Sequence, residues 1–151
     1  MSKVKILIGI DPDTEKSGFA FIDKSNLNVI QLKNLTFFEL FSVLSEIKNK
    51  YQPPYFDIEI YIECGFLNKG NRHKVFGGSL SLNSKIGERI GANHEVAKKI
   101  CEMSDFLEIK YNKIKPTRSK IKNSNVFKKI TGYDKRTNQE QRDALMLIWG
   151  L

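Results

Sequence analysis

Four carboxylates stand where an acid is hard to explain as surface decoration. Asp11 closes the apolar run 4–10, and Glu63 closes the alternating run 57–63, DIEIYIE. Glu140 and Asp143 are three residues apart and so share one face of a C-terminal helix, with Asp143 directly before Ala144-Leu145-Met146-Leu147-Ile148. An ionised carboxylate against an apolar core is costly without a partner. Brought together, several of them repel, and some must take up protons unless cations intervene. Mg2+ or Mn2+ relieves this, since both are hard ions that prefer oxygen. Two such ions roughly 4 Å apart stabilise both the attacking and the leaving oxygen of a phosphodiester displacement. Plainer roles stay open at this point. Asp11 with Pro12 and Asp13 suits a turn, Glu63 suits a solvated strand end, and Thr137-Asn138-Gln139-Glu140 has the form of a capping box that would occupy Glu140.

The elements that must position these acids can be read in order. Residues 4–10 and 18–22, either side of a Pro/Asp/Thr turn, read as a β-hairpin, and 28–34 as a third strand. Thr36 and Glu39 have capping-box spacing, and Phe37, Leu40, Phe41, Leu44 and Ile47 follow at helical intervals. A helix over 36–50 is expected to bury that face, aromatics included, and to end at Gln52-Pro53-Pro54. Strand, helix, strand implies a crossover, so 57–63 should lie parallel to the first strand. Asp11 and Glu63 would then be neighbours at the carboxyl edge of the sheet, where α/β folds gather their chemistry.

The stretch 66–84 is rich in Gly, Asn and Lys and reads as a long basic loop carrying Lys69, Arg72, His73 and Lys74. Helical spacing returns over 83–103, with Gly87 and Gly91 on one side, small enough for close packing against the sheet or a second subunit. A strand over 106–111, a helix at 124–131 stopped by Gly132, and a last helix from about Thr137 complete the chain.

Composition narrows the function. At 151 residues the chain is expected to be one α/β domain. No apolar run approaches the roughly 20 residues of a membrane span, and the charged start is not a signal peptide. Two cysteines form no zinc-type pattern, which fits a reducing cytoplasm. The net charge is +8, and residues 110–136 hold ten Lys or Arg, among them Arg118, Lys120 and Lys122, against the single acid Asp134. Positive charge so clustered suits a polyanion, because each neutralised phosphate releases counterions. With only two histidines and no nucleophile beside them, no Ser/His/Asp or Cys/His set competes. The pattern is that of a metal-dependent nuclease.

Three segments together carry a resemblance. GIDPDTEKSGFAFID resembles the first hairpin, IECGF the second acidic strand, and EQRDALML the final acidic helix of the RuvC-type Holliday-junction resolvases of the RNase H-like superfamily. The likeness runs over essentially the whole chain. It implies an RNase H-like mixed sheet of about five strands flanked by helices, and a homodimer that sets two sites on a four-way junction or other branched DNA. It also implies paired nicks made with Mg2+, with Mn2+ as substitute and two ions per site, and no small-molecule cofactor. Carried over by position, Asp11, Glu63 and Asp143 are the metal-binding acids and Glu140 the fourth. Phe66 matches a base-stacking aromatic, Lys120 and Lys122 match basic residues beside the cleaved backbone, and Gly87 and Gly91 fall on the dimer helix. Asp13 stands where the family has Gly, and Glu140 where it has Asp. The 66–84 loop is closer to phage-type members. Two further readings stay beside the endonuclease: a catalytically weak branched-DNA-binding module, and an RNase H-like enzyme acting on RNA–DNA hybrid.

Overall fold

Alternation along the first strand decides which residues build the core and which reach the site. The computed structural model describes residues 2–26, 30–68 and 78–151. In it Val4–Asp11 is β1, the middle strand of a five-stranded mixed sheet. Ser17–Asp23 (β2) and Ile30–Leu35 (β3) follow antiparallel, Phe56–Glu63 (β4) lies parallel on the other side of β1, and Lys110–Ile114 (β5) lies parallel to β4. The spatial order is β3-β2-β1-β4-β5.

Side chains alternate across a strand. Ile6, Ile8 and Ile10 join Ile60 and Ile62 in a core covered by Leu40 and Leu44 of helix α1 (Phe37–Lys50) and by Ala97 and Ile100 of helix α2 (Leu80–Phe106). Leu7, Ala20 and Ile22 face the opposite layer. There Phe127 of α3 (Ser124–Thr131) and Ala144 and Leu145 of α4 (Gln139–Met146) cover them. The same alternation puts Asp11 on the α4 face. Because Ile10 pairs with Ile62 in register, Glu63 shares that face at the next step.

The expected box at α1 is present: Thr36 Oγ1 accepts from Glu39 N at 3.3 Å, and Glu39 Oε2 accepts from Thr36 N at 2.9 Å. Gly132 ends α3 with φ of 73°, as expected of a C-terminal glycine. Other expectations move. Phe37 and Phe41 were expected in the core but remain 39% and 37% exposed, since Leu40 and Leu44 take the centre of the buried face. Helix α2 starts at Leu80 and runs through Phe106, so the strand expected over 106–111 begins only at Lys110. Glu108 adopts φ of 54°, which turns the chain there; Leu107 and Ile109 are buried as parts of that turn. Gly87 and Gly91 do not pack on the sheet. A Cβ at either would meet nothing within 4 Å among the described residues. Among the described residues no helix is long and apolar enough to cross a membrane.

Candidate active site

Two glycines let the last helix down onto the sheet. A Cβ on Gly9 would lie 2.0 Å from the carbonyl oxygen of Ala144, and one on Gly18 would lie 2.1 Å from that of Glu140. No side chain fits at either position, so α4 rests on the bare backbone of β1 and β2. Gly18 is the register partner of Asp11. The seating therefore brings the start of α4 over the end of β1, and with it Asp143.

The capping box expected to use Glu140 is displaced by one residue. Asn138 is the cap: its side chain accepts from Gln141 N at 2.9 Å, and Gln141 Oε1 accepts from Asn138 N at 3.1 Å. An amide at each end serves as well as Thr and Glu, and it leaves Glu140 out of the cap. Among the described residues no hydrogen bond or ion pair uses the Glu140 carboxylate. It lines a shallow depression along the β1–β2 turn with Asp13, Asn34 and Arg89.

Lys120 ties the remaining acids together. Its Nζ donates to both Glu63 oxygens at 2.7 and 2.9 Å and to Asp143 Oδ2 at 3.2 Å. Asp143 Oδ1 accepts from Gln139 Nε2 at 2.7 Å. Glu63 and Asp143 are largely buried, and Lys120 half-buried. Asp11 feels the same charges. Burial first, then repulsion from Glu63, with smaller repulsions from Asp143 and Glu140, pushes its carboxyl up to about 8 against the opposing pull of Lys120. Burial works against the Lys120 charge, but the hydrogen bond to Glu63 and the charges of Glu63, Asp11 and Asp143 outweigh it and raise its pKa.

Sequence reading missed what holds Lys120 in place. Arg142 is 7% exposed and donates through Nε to Ile121 O at 3.1 Å, through Nη2 to Lys122 O at 3.2 Å, and through Nη1 to Thr137 O at 3.1 Å. Gln139 Nε2 adds a bond to Ile121 O at 3.2 Å. The buried guanidinium thus staples the segment after Lys120 to α4. Its neighbours Gln139, Glu140, Gln141 and Asp143 are all polar and gave no signal, and its acceptors at Ile121 and Lys122, some twenty residues upstream, were not legible.

A cleft of about 470 Å3 opens beside this cluster, lined by Asp11, Glu63, Arg118 and Lys120 from one side and by Asn93 and His94 of α2 from the other. Asn93 Oδ1 accepts from Thr14 N at 3.2 Å. The ring of His94 is so close to Gly65 that a Cβ there would lie 2.8 Å from Nε2. Neither residue was anticipated from the sequence. Phe66 is half-buried, edge-on to His94 with centroids 6.5 Å apart, and Lys98 and Lys113 hold their ammonium groups 5.8 and 5.9 Å from its ring centroid. Lys122 is exposed beyond the cleft. Asp13 serves the turn, its Oδ1 accepting from Glu15 N at 2.9 Å. Lys69, Arg72, His73 and Lys74 lie outside the described residues.

The donor set suits a hard divalent cation. It is all carboxylate, it already attracts an ammonium at Glu63 and Asp143, and burial with its acidic neighbours pushes the Asp11 carboxyl up to about 8. Among the described residues, however, no three carboxylate, imidazole or thiol side chains yet stand together as a ready metal cage. Binding would need Lys120 or the carboxylates to move.

No family profile and no curated protein matches the sequence. Comparison of folds is informative. RuvC of Thermus thermophilus, in complex with a Holliday junction substrate, superposes with a TM-score of 0.50 at 13% identity, over 95% of this chain and 89% of that one. The fold is that of RuvC. A second Thermus thermophilus RuvC structure gives a TM-score of 0.46, again at 13% identity, covering 94% and 90% of the two chains. The RuvC-like frame accounts for the mixed five-stranded sheet with helices on both faces. At 13% identity the likeness is one of fold.

Proposed function

We propose that this protein is a structure-selective DNA endonuclease that resolves four-way junctions or other branched DNA by hydrolysing phosphodiesters in paired nicks. The observation that carries the reading is the meeting of Asp11, Glu63, Asp143 and Lys120 at the carboxyl edge of β1 and β4, beneath α4, on a RuvC-like fold. The net charge of +8 supports a polyanionic partner.

Asp11, Glu63 and Asp143, with Glu140 as the fourth ligand, are assigned to hold two Mg2+ ions, or Mn2+ in their place. Such ions supply positive charge at the attacking and leaving oxygens of the phosphodiester. The chain's own contribution is placement. Gly9 and Gly18 set the depth of α4, Gln139 orients Asp143, and Arg142 fixes the backbone that carries Lys120. Arg118 and Lys122, with Lys69, Arg72 and Lys74, are assigned to phosphates, where charge gives affinity without sequence preference. Phe66 is assigned to stack on a base near the scissile bond. The first half of α2, with Leu80 91% and Leu82 45% exposed and Gly87 and Gly91 open, is assigned to a homodimer contact that sets two sites on one junction.

The test is a gel assay with a labelled four-way junction beside a fork, a linear duplex and an RNA–DNA hybrid, each in Mg2+ and in EDTA. Paired symmetric nicks confined to the junction and lost in EDTA are expected. Equal cutting of fork and junction makes the protein a general debranching nuclease. Binding without cutting in either metal makes it a branched-DNA-binding module, and preference for the hybrid makes it an RNase H-like enzyme.

A further inference from the structure

Two of the acids proposed to bind metal, Glu63 and Asp143, are already engaged. Both oxygens of Glu63 and Oδ2 of Asp143 accept from a single ammonium, that of Lys120, while Oδ1 of Asp143 accepts from Gln139. An ammonium has three protons, and three such contacts use them all. A divalent cation bound by oxygen sits roughly 2.1 Å from each donor. It would therefore lie almost on top of Nζ, and two positive charges at that separation repel strongly.

We propose that Lys120 is the resident counter-cation of this site and that a divalent ion binds only by displacing it, so that the two occupy Glu63 and Asp143 in exclusive states. The inference rests on the nuclease reading and adds an order of events to it. The backbone at Ile121 and Lys122 is clamped by Arg142 and Gln139, so the exchange is confined to the four-carbon stem of Lys120. That stem is long and flexible, and the ammonium at its end is a compact point charge. Lys120 lines the 470 Å3 cleft with Thr117 and Arg118, and the displaced ammonium has that space to enter. A phosphate in the cleft would meet it there. Metal loading and capture of the scissile phosphate thus become one linked step, in which the cation that leaves the acids is delivered to the substrate.

Two measurements test this without reference to turnover. Calorimetric titration with Mn2+ compares the wild type with Lys120→Met and Lys120→Gln, whose folding is checked by circular dichroism. Removing the competitor is expected to tighten Mn2+ binding by about tenfold or more. Reductive methylation of the wild type, read by mass spectrometry of the peptide containing Lys120, is expected to speed up on adding Mn2+ as the ammonium is released. Tight wild-type binding with unchanged affinity in both variants and unchanged labelling of Lys120 overturns the exchange while leaving the nuclease reading intact. Failure of wild type and variants alike to bind Mn2+ overturns both.

Discussion

The carbonyl oxygen of Ala144 lies 2.0 Å from the point where a side chain on Gly9 would begin. Nothing larger than hydrogen is compatible with the seating of α4, and Glu140 imposes the same limit at Gly18. The neighbour in both cases is backbone, which cannot rotate away. Gly9→Ala is expected to lift α4 from the sheet and cost roughly 3 kcal/mol in urea denaturation. Cleavage should fall further than stability alone explains, because Asp143 rides on that helix. A variant as stable as the wild type would mean that α4 docks elsewhere.

Arg142 is a buried cation that donates to carbonyl, hydroxyl and amide oxygens. Arg142→Ala leaves several of these acceptors unpaired and should destabilise the protein by about 2–4 kcal/mol. Arg142→Lys should recover little, since an ammonium cannot reproduce the planar fork. Hydrogen exchange should show faster exchange over 120–122 in both variants. Equal protection would show that the segment is held by other means.

Asp11 keeps its proton in the folded protein up to about pH 8, whereas the ordinary value is 3.8. Between those limits the folded state binds more protons than the unfolded state, so stability falls as pH rises through the window. Asp11→Asn cannot ionise. In EDTA it is expected to flatten the pH dependence and to be more stable than wild type at pH 8 by several kcal/mol. Mg2+ should reduce the wild-type slope by favouring the ionised carboxylate. Parallel curves for the two proteins in EDTA would rule out Asp11 as the source.

The same substitution separates binding from chemistry. Asp11→Asn removes a proposed ligand without adding bulk, so junction affinity should hold or rise while cleavage drops by more than about 100-fold, the upper range for losing a mere outer-shell partner. Unchanged cleavage would remove Asp11 from the metal assignment.

Phe66→Ala should slow cleavage of bound junction more than it weakens binding, because phosphate contacts carry most of the affinity. If affinity collapses and bound DNA is cut at the normal rate, Phe66 is a docking anchor.

The strand-end positions of Asp11 and Glu63 were legible because period-two alternation and a crossover connection are local signals. The α1 box was equally legible. The box at α4 was not: Thr137/Glu140 and Asn138/Gln141 both satisfy the spacing, and only the path of the backbone decides between them. Gly9 and Gly18 advertise close approach inside strands, yet a glycine does not say what approaches it. The strand expected over 106–111 failed because Leu107 and Ile109 alternate and are buried, but within a turn, and burial alone does not distinguish the two. Lys120 was placed by resemblance near the cleaved backbone; its grip on Glu63 and Asp143 depends on distances of 57 and 23 residues along the chain.

The alternation of β1 couples the core to the site. Ile6, Ile8 and Ile10 of that strand face α1 and α2 while Leu7 and Asp11 face α4, so a single inserted or deleted residue would send the isoleucines toward α4 and the acid toward α1 and α2. Reading frame and viability of the site are joined in that strand: tolerated length changes should be found in the 12–16 turn, and a library of one-residue indels within 4–11 should yield chains that fail to fold rather than folded chains that fail to cut.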